Sequence, residues 1–308
     1  MKNEPILIVG SGAMACLFGA RLAPQRPVIM LATWPAGIKA LRAHGIREEV
    51  EEGWKQHAVS VVDDPGDLAP LRYALVLVKA WQTESAAQRL MDCLAQDGVA
   101  LSLQNGLGNM ETLGRSLGEA RVAMGVTTYG ATLLGPGQVR PGGDGTVELG
   151  KKPGLEELGD WLVEAGFEVR LAEDVRALAW GKLAVNAGIN PLTALLDVRN
   201  GWISQNPDAR WLSEEAVREV QAVAQALGIQ LPQSDPVAVT LEVAERTAQN
   251  RSSMLQDLAR GAPTEIEAIC GEVVGHGRRA GVPTPVNEFL WRLVRSKAQI
   301  GGNEIDRR

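Results

Sequence analysis

The sequence has few of the residues that build metal sites and disulfide frameworks. Its 308 residues include three cysteines, at positions 16, 93 and 270, and three histidines, and neither set has the spacing of metal ligands. Scattered cysteines in odd number are typical of proteins from a reducing compartment. We therefore expect no metal ion and no disulfide, and we expect a cytoplasmic protein.

The sequence also has no excess of basic residues and no long apolar run. It carries 31 Lys and Arg against 37 Asp and Glu, a formal net charge of −6, which argues against a nucleic-acid partner. An apolar stretch near the N-terminus could be mistaken for a lipoprotein signal, but Glu4, Pro5 and the glycines at positions 10 and 12 interrupt it. No segment reaches the roughly 20 apolar residues of a membrane span, so we expect no membrane association.

What the sequence does contain is an alternation of short β-branched runs with helical patterns, which is typical of parallel βαβ units. The predicted strands are residues 5–9, 28–31, 59–62, 74–78, 99–103, 122–126 and 168–171, and the predicted helices between them are 13–23, 35–43, 82–95, 109–117 and 154–165. The glycine-rich segment 127–150 predicts short antiparallel strands.

After about residue 172 helical periodicity replaces the alternation. The predicted helices there are residues 174–196, 208–227, 235–248, 264–280 and 285–298, and we expect the tail GGNEIDRR (301–308) to be frayed. We therefore predict an α/β domain over residues 1–170 and an all-helical domain over residues 171–308.

The first predicted strand runs directly into a glycine-rich turn. Gly10, Gly12 and Ala15 form the pattern G-x-G-x-x-A between a strand and a helix. Gly10 permits the tight turn, Gly12 lets a pyrophosphate approach the backbone, and the small Ala15 lets helix and strand pack closely. A plain tight turn is the alternative. In this context the pattern predicts dinucleotide binding, with the phosphates at the helix N-terminus.

The end of the second strand bears on which dinucleotide is bound. An acidic residue there would bind the 2′-hydroxyl of NAD, whereas an arginine would suit the 2′-phosphate of NADP. The strand runs into Ala32, Thr33 and Trp34, so neither residue type is present. With no acid available to repel a 2′-phosphate, and with Lys39 and Arg42 on the following helix, the sequence favours NADP.

An apolar segment of the helical half carries one line of polar residues. Lys182, Asn186 and Asn190 are four residues apart, on one face of a predicted helix that Pro191 should break or kink. One interpretation is a solvated face from which the lysine snorkels. The other is a face that binds a polar ligand, because a lysine supplies both a charge and a proton, and carboxamides bind hydroxyl and carboxylate groups without adding charge.

Six motifs occur in one order along the chain: GSGAMA (10–15), LVKAWQT (77–83), LQNGLGN (103–109), GVTTYGA (125–131), WGKLAVNAGINPLTAL (180–195) and SSMLQDLARGAPTEIEAICGEVV (252–274). Together they resemble the ketopantoate reductase family (2-dehydropantoate 2-reductase, pantothenate biosynthesis), over nearly the whole chain. The resemblance implies a Rossmann domain, a helical domain like the C-terminal domain of 6-phosphogluconate dehydrogenase, and NADPH-dependent reduction of a 2-keto acid in the cleft between them.

The resemblance also implies roles for individual residues. Lys182 corresponds to the proton donor, and Glu265 to a catalytic carboxylate. The implied substrate contacts are Asn105, Asn186, Asn190, Asn200 and Ser253, with Ser253 on the substrate carboxylate. The implied cofactor contacts are Gly10, Ser11, Gly12, Ala13, Met14, Ala15, Lys79, Asn105 and Ala131. One departure concerns position 33, where the family often carries an arginine and this chain has Thr33.

Two of these assignments have structural alternatives. Thr264 and Glu267 form the capping-box pattern T-x-x-E, which gives Glu267 a structural role and leaves Glu265 as the catalytic candidate. Glu265 could instead complement a helix dipole, and Ser253 could cap the helix that follows it.

The resemblance therefore implies an NADPH-dependent ketopantoate reductase, and fold analogy predicts a homodimer. The alternatives are a related reductase for another branched 2-keto acid and a dinucleotide-binding sensor without turnover.

Overall fold

The structure is a computed structural model that describes residues 4–305, with the side chains of Asp67 and of residues 301–305 left out. The chain divides into two compact units. The first comprises residues 1–104 and 109–175, and the second comprises residues 105–108 and 176–308. The short segment 105–108 thus groups with the helical unit, although the chain around it belongs to the α/β unit.

The first unit contains twelve strands and five α-helices within the described residues. In chain order they are β1 (Ile6–Val9), α1 (Ala13–Leu22), β2 (Val28–Leu31), α2 (Pro35–His44), β3 (Ile46–Val50), β4 (Gly53–His57), β5 (Ser60–Val62), β6 (Leu71–Val76), α3 (Thr83–Cys93), β7 (Leu94–Ser102), α4 (Asn109–Leu117), β8 (Val122–Thr127), β9 (Ala131–Gly135), β10 (Gln138–Pro141), β11 (Val147–Gly150), α5 (Glu156–Glu164) and β12 (Val169–Ala172).

Eight of the strands form one sheet in the order β12-β11-β8-β7-β6-β1-β2-β5. All neighbouring pairs are parallel except β8 with β11. The six strands from β5 to β8 have the order 3-2-1-4-5-6 of doubly wound dinucleotide-binding folds. The central strand β1 is apolar at all four positions and buried on both faces, as expected for a parallel strand covered by helices.

A second sheet of four strands, in the order β4-β3-β10-β9, packs against α1. Its strands β3 and β4 form an antiparallel hairpin that the sequence did not predict. Four of the five residues of β4 are exposed, three of the five residues of β3 are half-buried, and most residues of the two strands are polar. The hairpin therefore lacks the alternating apolar pattern by which strands are identified.

The second unit is helical throughout its described part. Its elements are α6 (Val175–Leu196), α7 (Trp202–Gln205), α8 (Pro207–Ala226), α9 (Pro236–Arg246), α10 (Ser253–Ala259), a π-helical turn (Glu267–Gly271), α11 (Glu272–Ala280) and α12 (Pro285–Ile305). The predicted fold class, an α/β part followed by a helical part, is confirmed. The short helix α7 was not predicted, and α10 lies where the sequence offered a short helix after Ser253 without giving its bounds.

The long helix α6 runs through the core of this unit. Gly188 lies at a crossing of α6 with α8 and α9, because a Cβ atom there would come within 2.9 Å of Ser213, Val217 and Thr240. The helix continues through Pro191 to Leu196 and does not break after Asn190. Helix α12 extends past the predicted end to Ile305, and the last three residues of the predicted frayed tail lie outside the described residues.

Within the described residues no helix combines the length and the apolar composition that crossing a membrane requires. The side chains described there also contain no group of three His, Cys, Asp or Glu arranged to hold a metal ion. All three cysteines are buried thiols without a disulfide.

Candidate active site

The glycine-rich turn lies where the sequence predicted it, between β1 and α1. Gly10 has φ +124°, a conformation that L side chains rarely adopt, and its amide donates to the Leu31 carbonyl at 2.8 Å. Gly12 is the N-cap of α1 and has no side chain to cap the helix, and a Cβ atom built on it would meet nothing within 4 Å. Ala15 is fully buried. The turn therefore presents helix N–H groups to open space, which suits an anion.

The other predicted cofactor residues of this unit lie on different elements. Ser11 is buried within the turn, whereas Ala13 and Met14 are half-buried in the first turn of α1. Lys79 follows β6, the sheet neighbour of β1, and its amide donates to the Gln82 side chain at 3.3 Å. Ala131 opens β9 in the second sheet, which packs against α1.

A cavity of about 770 Å³ opens at the carboxyl end of β2, lined among others by Thr33, Lys39 and Arg42. Asp63, the residue after β5, lines the same cavity. The expectation that no acid lies near this position is therefore wrong. Asp63 is 30 residues from Thr33 in sequence, and the parallel pairing of β5 with β2 brings the two ends together.

In the second unit, α6 places Lys182, Asn186 and Asn190 along one face, each half-buried. The residues beside them, such as Leu183 and Ala187, are buried in the core. The polar face is therefore neither part of the apolar core nor a fully solvated surface.

Glu265 supplies the charge that faces this lysine. The Glu265 side chain is buried, with 5% of the residue exposed. Desolvation lowers the pKa of Lys182 from 10.5 to about 8, and the negative charge of Glu265 opposes that shift. Lys182 is consequently mostly protonated at neutral pH, and it loses its proton as the pH rises through about 8.

Asn105 joins the same cluster through the segment 105–108. Its Nδ2 donates to Glu265 Oε2 at 3.4 Å, and the next residue but one, Leu107, donates from its amide to the Ala268 carbonyl at 2.9 Å. Gly106 has φ +77°, and a Cβ atom there would lie 2.5 Å from the Ala268 carbonyl oxygen. The glycine of the QNG motif is thus required for the close approach that places Asn105, a role that sequence reasoning missed.

Asn200 and Ser253 lie near the end of α6. The Asn200 Nδ2 donates to Thr247 at 2.9 Å, while its buried Oδ1 has no protein partner among the described residues. Ser252, and not Ser253, caps α10 by accepting from the Leu255 amide, and it also accepts a 2.7 Å hydrogen bond from Thr193 of α6. Ser253 is exposed and does not have the capping role considered for it.

The predicted capping box of Thr264 and Glu267 does not form. The helical turn begins at Glu267 itself, after Ile266, and without a side-chain cap. Glu267 instead accepts a 2.8 Å hydrogen bond from Trp291 Nε1 and forms an ion pair with Arg295 on α12. Glu267 therefore still has a structural role, but its partners lie on α12, the nearer of them 24 residues further along the chain.

Comparison with known proteins gives two family matches. The family model of ketopantoate reductase PanE/ApbA matches residues 6–154, and that of the ketopantoate reductase PanE/ApbA C terminal matches residues 174–298. The 2-dehydropantoate 2-reductase of Pyrococcus horikoshii is 33% identical over 96% of this chain and 98% of its own, and that of Archaeoglobus fulgidus is 35% identical with the same coverage.

Solved structures also match nearly the whole chain. A PanE/ApbA family ketopantoate reductase from Ralstonia eutropha matches with 34% identity and a TM-score of 0.90, over 96% of this chain and 99% of its own. A D-mandelate dehydrogenase in a ternary structure with NADH and anilino(oxo)acetate matches with 27% identity and a TM-score of 0.88, at the same coverage.

The electrostatic balance at Lys182 can be tested by removing the opposing charge. We expect Glu265→Gln to lower the pKa of Lys182 below about 8, because desolvation then acts without the carboxylate that raises it. The measurement is an NMR titration of protein labelled at lysine 13Cε, with the Lys182 signal assigned from its loss in Lys182→Ala. Glu267→Gln, two residues away, should leave this pKa in place, and an unchanged pKa in Glu265→Gln would contradict the assignment.

Proposed function

This chain belongs to the ketopantoate reductase family, and we propose that it reduces 2-dehydropantoate (ketopantoate) to pantoate with NADPH, as a step of pantothenate biosynthesis. The observation that carries the proposal is the half-buried Lys182 on the polar face of α6 together with the buried carboxylate of Glu265, which accepts a hydrogen bond from Asn105 Nδ2 at 3.4 Å. A protein that merely sensed a dinucleotide would have no need of a lysine placed opposite a buried carboxylate with its pKa lowered to about 8.

The glycine-rich turn fits a dinucleotide. The open space above Gly12 leaves room for a pyrophosphate against the backbone, and the N-terminus of α1 stabilises its negative charge. Residues 10–15 would hold the pyrophosphate, with Lys79 and Ala131 as further contacts, and Asn105 would touch both cofactor and substrate. Bound NADPH supplies the hydride.

The residues of the helical unit would bind the keto acid and move the proton. Lys182, protonated below its pKa of about 8, donates a proton to the 2-keto oxygen and stabilises the negative charge that develops there. Asn186 and Asn190 bind hydroxyl and carboxylate groups with neutral amides, and Ser253 donates to the substrate carboxylate. The buried Oδ1 of Asn200 would accept a hydrogen bond from a hydroxyl group of the substrate.

Lys39 and Arg42 in the cavity after β2 favour NADPH over NADH. The three buried cysteine thiols support a reducing, cytoplasmic location.

The function is tested by following dinucleotide oxidation with a panel of 2-keto acids. We expect the highest kcat/KM with ketopantoate and NADPH. The likeness to a D-mandelate dehydrogenase makes aromatic 2-keto acids such as benzoylformate the sharpest competitors, and 2-ketoisovalerate represents other branched ones. A higher kcat/KM for either competitor would reassign the substrate. Dinucleotide binding without turnover on any of them would favour a sensor.

Replacing the proton donor tests the mechanism. We expect Lys182→Ala to lower kcat by roughly 10²- to 10⁴-fold, the usual scale for a general acid, with little change in NADPH affinity. In the unsubstituted protein, reduction should be constant below pH 8 and fall as the pH rises through the pKa of Lys182, because the proton to be donated is then absent.

Glu267→Ala is the matched control for that experiment. It should cost about 1 kcal/mol of unfolding free energy through the lost hydrogen bond to Trp291 and leave turnover largely unchanged. Normal turnover by Lys182→Ala at saturating substrate would mean that the polar face of α6 is not catalytic.

We also propose a homodimer formed through the helical unit. Helix α12 buries Leu290 and Val294 in the core, yet Phe289 and Leu293, four residues apart on another face, are 70% and 51% exposed. An apolar stripe of this kind is typical of subunit interfaces. Sedimentation velocity at micromolar concentration should give twice the chain mass of 32.9 kDa, and Phe289→Asp should shift the species to the monomer. Sedimentation of the unsubstituted protein as a monomer would exclude the dimer.

A further inference from the structure

The cavity after β2 holds charges of both signs. Lys39 and Arg42 on α2 bring two positive charges, and Asp63 after β5 brings one negative charge. The cavity lies beside the glycine-rich turn, since β2 pairs with β1 and the Gly10 amide bonds to Leu31 at the end of β2. In doubly wound folds this is where the adenosine ribose is recognised.

Asp63 and Arg42 form a direct ion pair. Arg42 Nη2 lies 2.7 Å from Asp63 Oδ1, and Arg42 Nε donates to the Val61 carbonyl at 3.3 Å. A second arginine, Arg89, donates to the Asp63 carbonyl oxygen and to that of Ala32, at 3.5 Å in the latter case. The segment that carries Asp63 is therefore bonded to Arg42 of α2 and to Arg89 of α3, and Arg89 also bonds to Ala32, the residue after β2.

This pairing changes the charge that a ligand meets. The hydrogen bond from Arg42 holds the pKa of the Asp63 carboxyl below its ordinary value, so Asp63 is ionised at neutral pH. Its charge neutralises that of Arg42, while Lys39 has no ion pair within the described part of the chain. The side chains of the cavity thus present one net positive charge where two would act without Asp63.

We propose that Asp63 is a residue that discriminates between cofactors, and that its carboxylate limits the preference for NADPH over NADH. A 2′-phosphate carries close to two negative charges, so it is repelled by Asp63 and must compete with it for Arg42. The 2′-hydroxyl of NADH is neutral and can donate to a carboxylate. The proposal deepens the proposed function and rests on its dinucleotide site, but it does not depend on the identity of the keto acid.

The test is dinucleotide binding to Asp63→Asn, measured without substrate. The asparagine keeps the size of the side chain and removes its charge. We expect the ratio of NADPH affinity to NADH affinity to rise by roughly three- to tenfold, the scale of one unit charge acting over several ångströms near solvent. Dissociation constants for NADPH and NADH are measured by fluorescence titration. Titrations with 2′,5′-ADP and 5′-AMP, followed by quenching of protein fluorescence, give the corresponding affinity ratio without the nicotinamide.

Asp64→Asn is the matched control. It removes the same charge one residue away, outside the residues that line the cavity, and an asparagine can still accept the hydrogen bond that Asp64 receives from the Gly66 amide at 2.9 Å. We expect its affinity ratio to equal that of the unsubstituted protein. Equal rises in Asp64→Asn and Asp63→Asn would show a general charge effect and overturn the proposal.

Two further measurements, with Arg42→Gln and at different salt concentrations, would give no change in the effect of Asp63→Asn on the affinity ratio if Asp63 had only a structural role. Arg42→Gln should weaken NADPH binding more in the Asp63→Asn background than in the unsubstituted protein, because Arg42 is then unpaired. The gain from Asp63→Asn should shrink between 0.05 M and 1 M salt as screening increases. An unchanged ratio, or an equal change for both cofactors, would overturn the role of Asp63, whereas absence of dinucleotide binding in the unsubstituted protein would overturn the proposed function itself.

Discussion

The chemistry proposed for the helical unit depends on an opposition between two effects at Lys182. Burial favours the neutral amine, and the carboxylate of Glu265 favours the ammonium ion. Neither effect alone would leave the pKa near 8. A fully desolvated lysine would be neutral at pH 7 and unable to donate a proton, and a fully solvated one would hold its proton too strongly. The packing of α6 and the burial of Glu265 are therefore both conditions for the proposed chemistry.

The segment 105–108 shows how backbone geometry serves this cluster. It is separated from Glu265 by about 160 residues, yet it groups with the helical unit. The contact requires Gly106, whose positive φ and missing side chain let the backbone approach Ala268. A glycine in this loop is therefore as much a part of the site as the asparagine beside it.

At the proposed dinucleotide site, two opposing effects also meet, but there they concern the net charge of the cavity and not a proton transfer. Thr33, just after β2, carries no charge, and the cations that line the cavity are Lys39 and Arg42. One of them is already paired with Asp63. Because the pair is formed between elements that the sheet brings together, the cofactor preference proposed for this cavity would depend on strand order as well as on residue type.

The sequence by itself determined the βαβ alternation, the change to helices near residue 172, the glycine-rich turn and the polar face of α6, because each depends on local periodicity or on residues adjacent in the chain. Tertiary structure decided what depends on distant residues. It paired Asp63 with Arg42, placed Asn105 against Glu265, and joined Glu267 to Trp291 where a local cap was predicted. It also formed the hairpin of β3 and β4, whose polar strands give no periodic signal because an exposed hairpin buries few side chains.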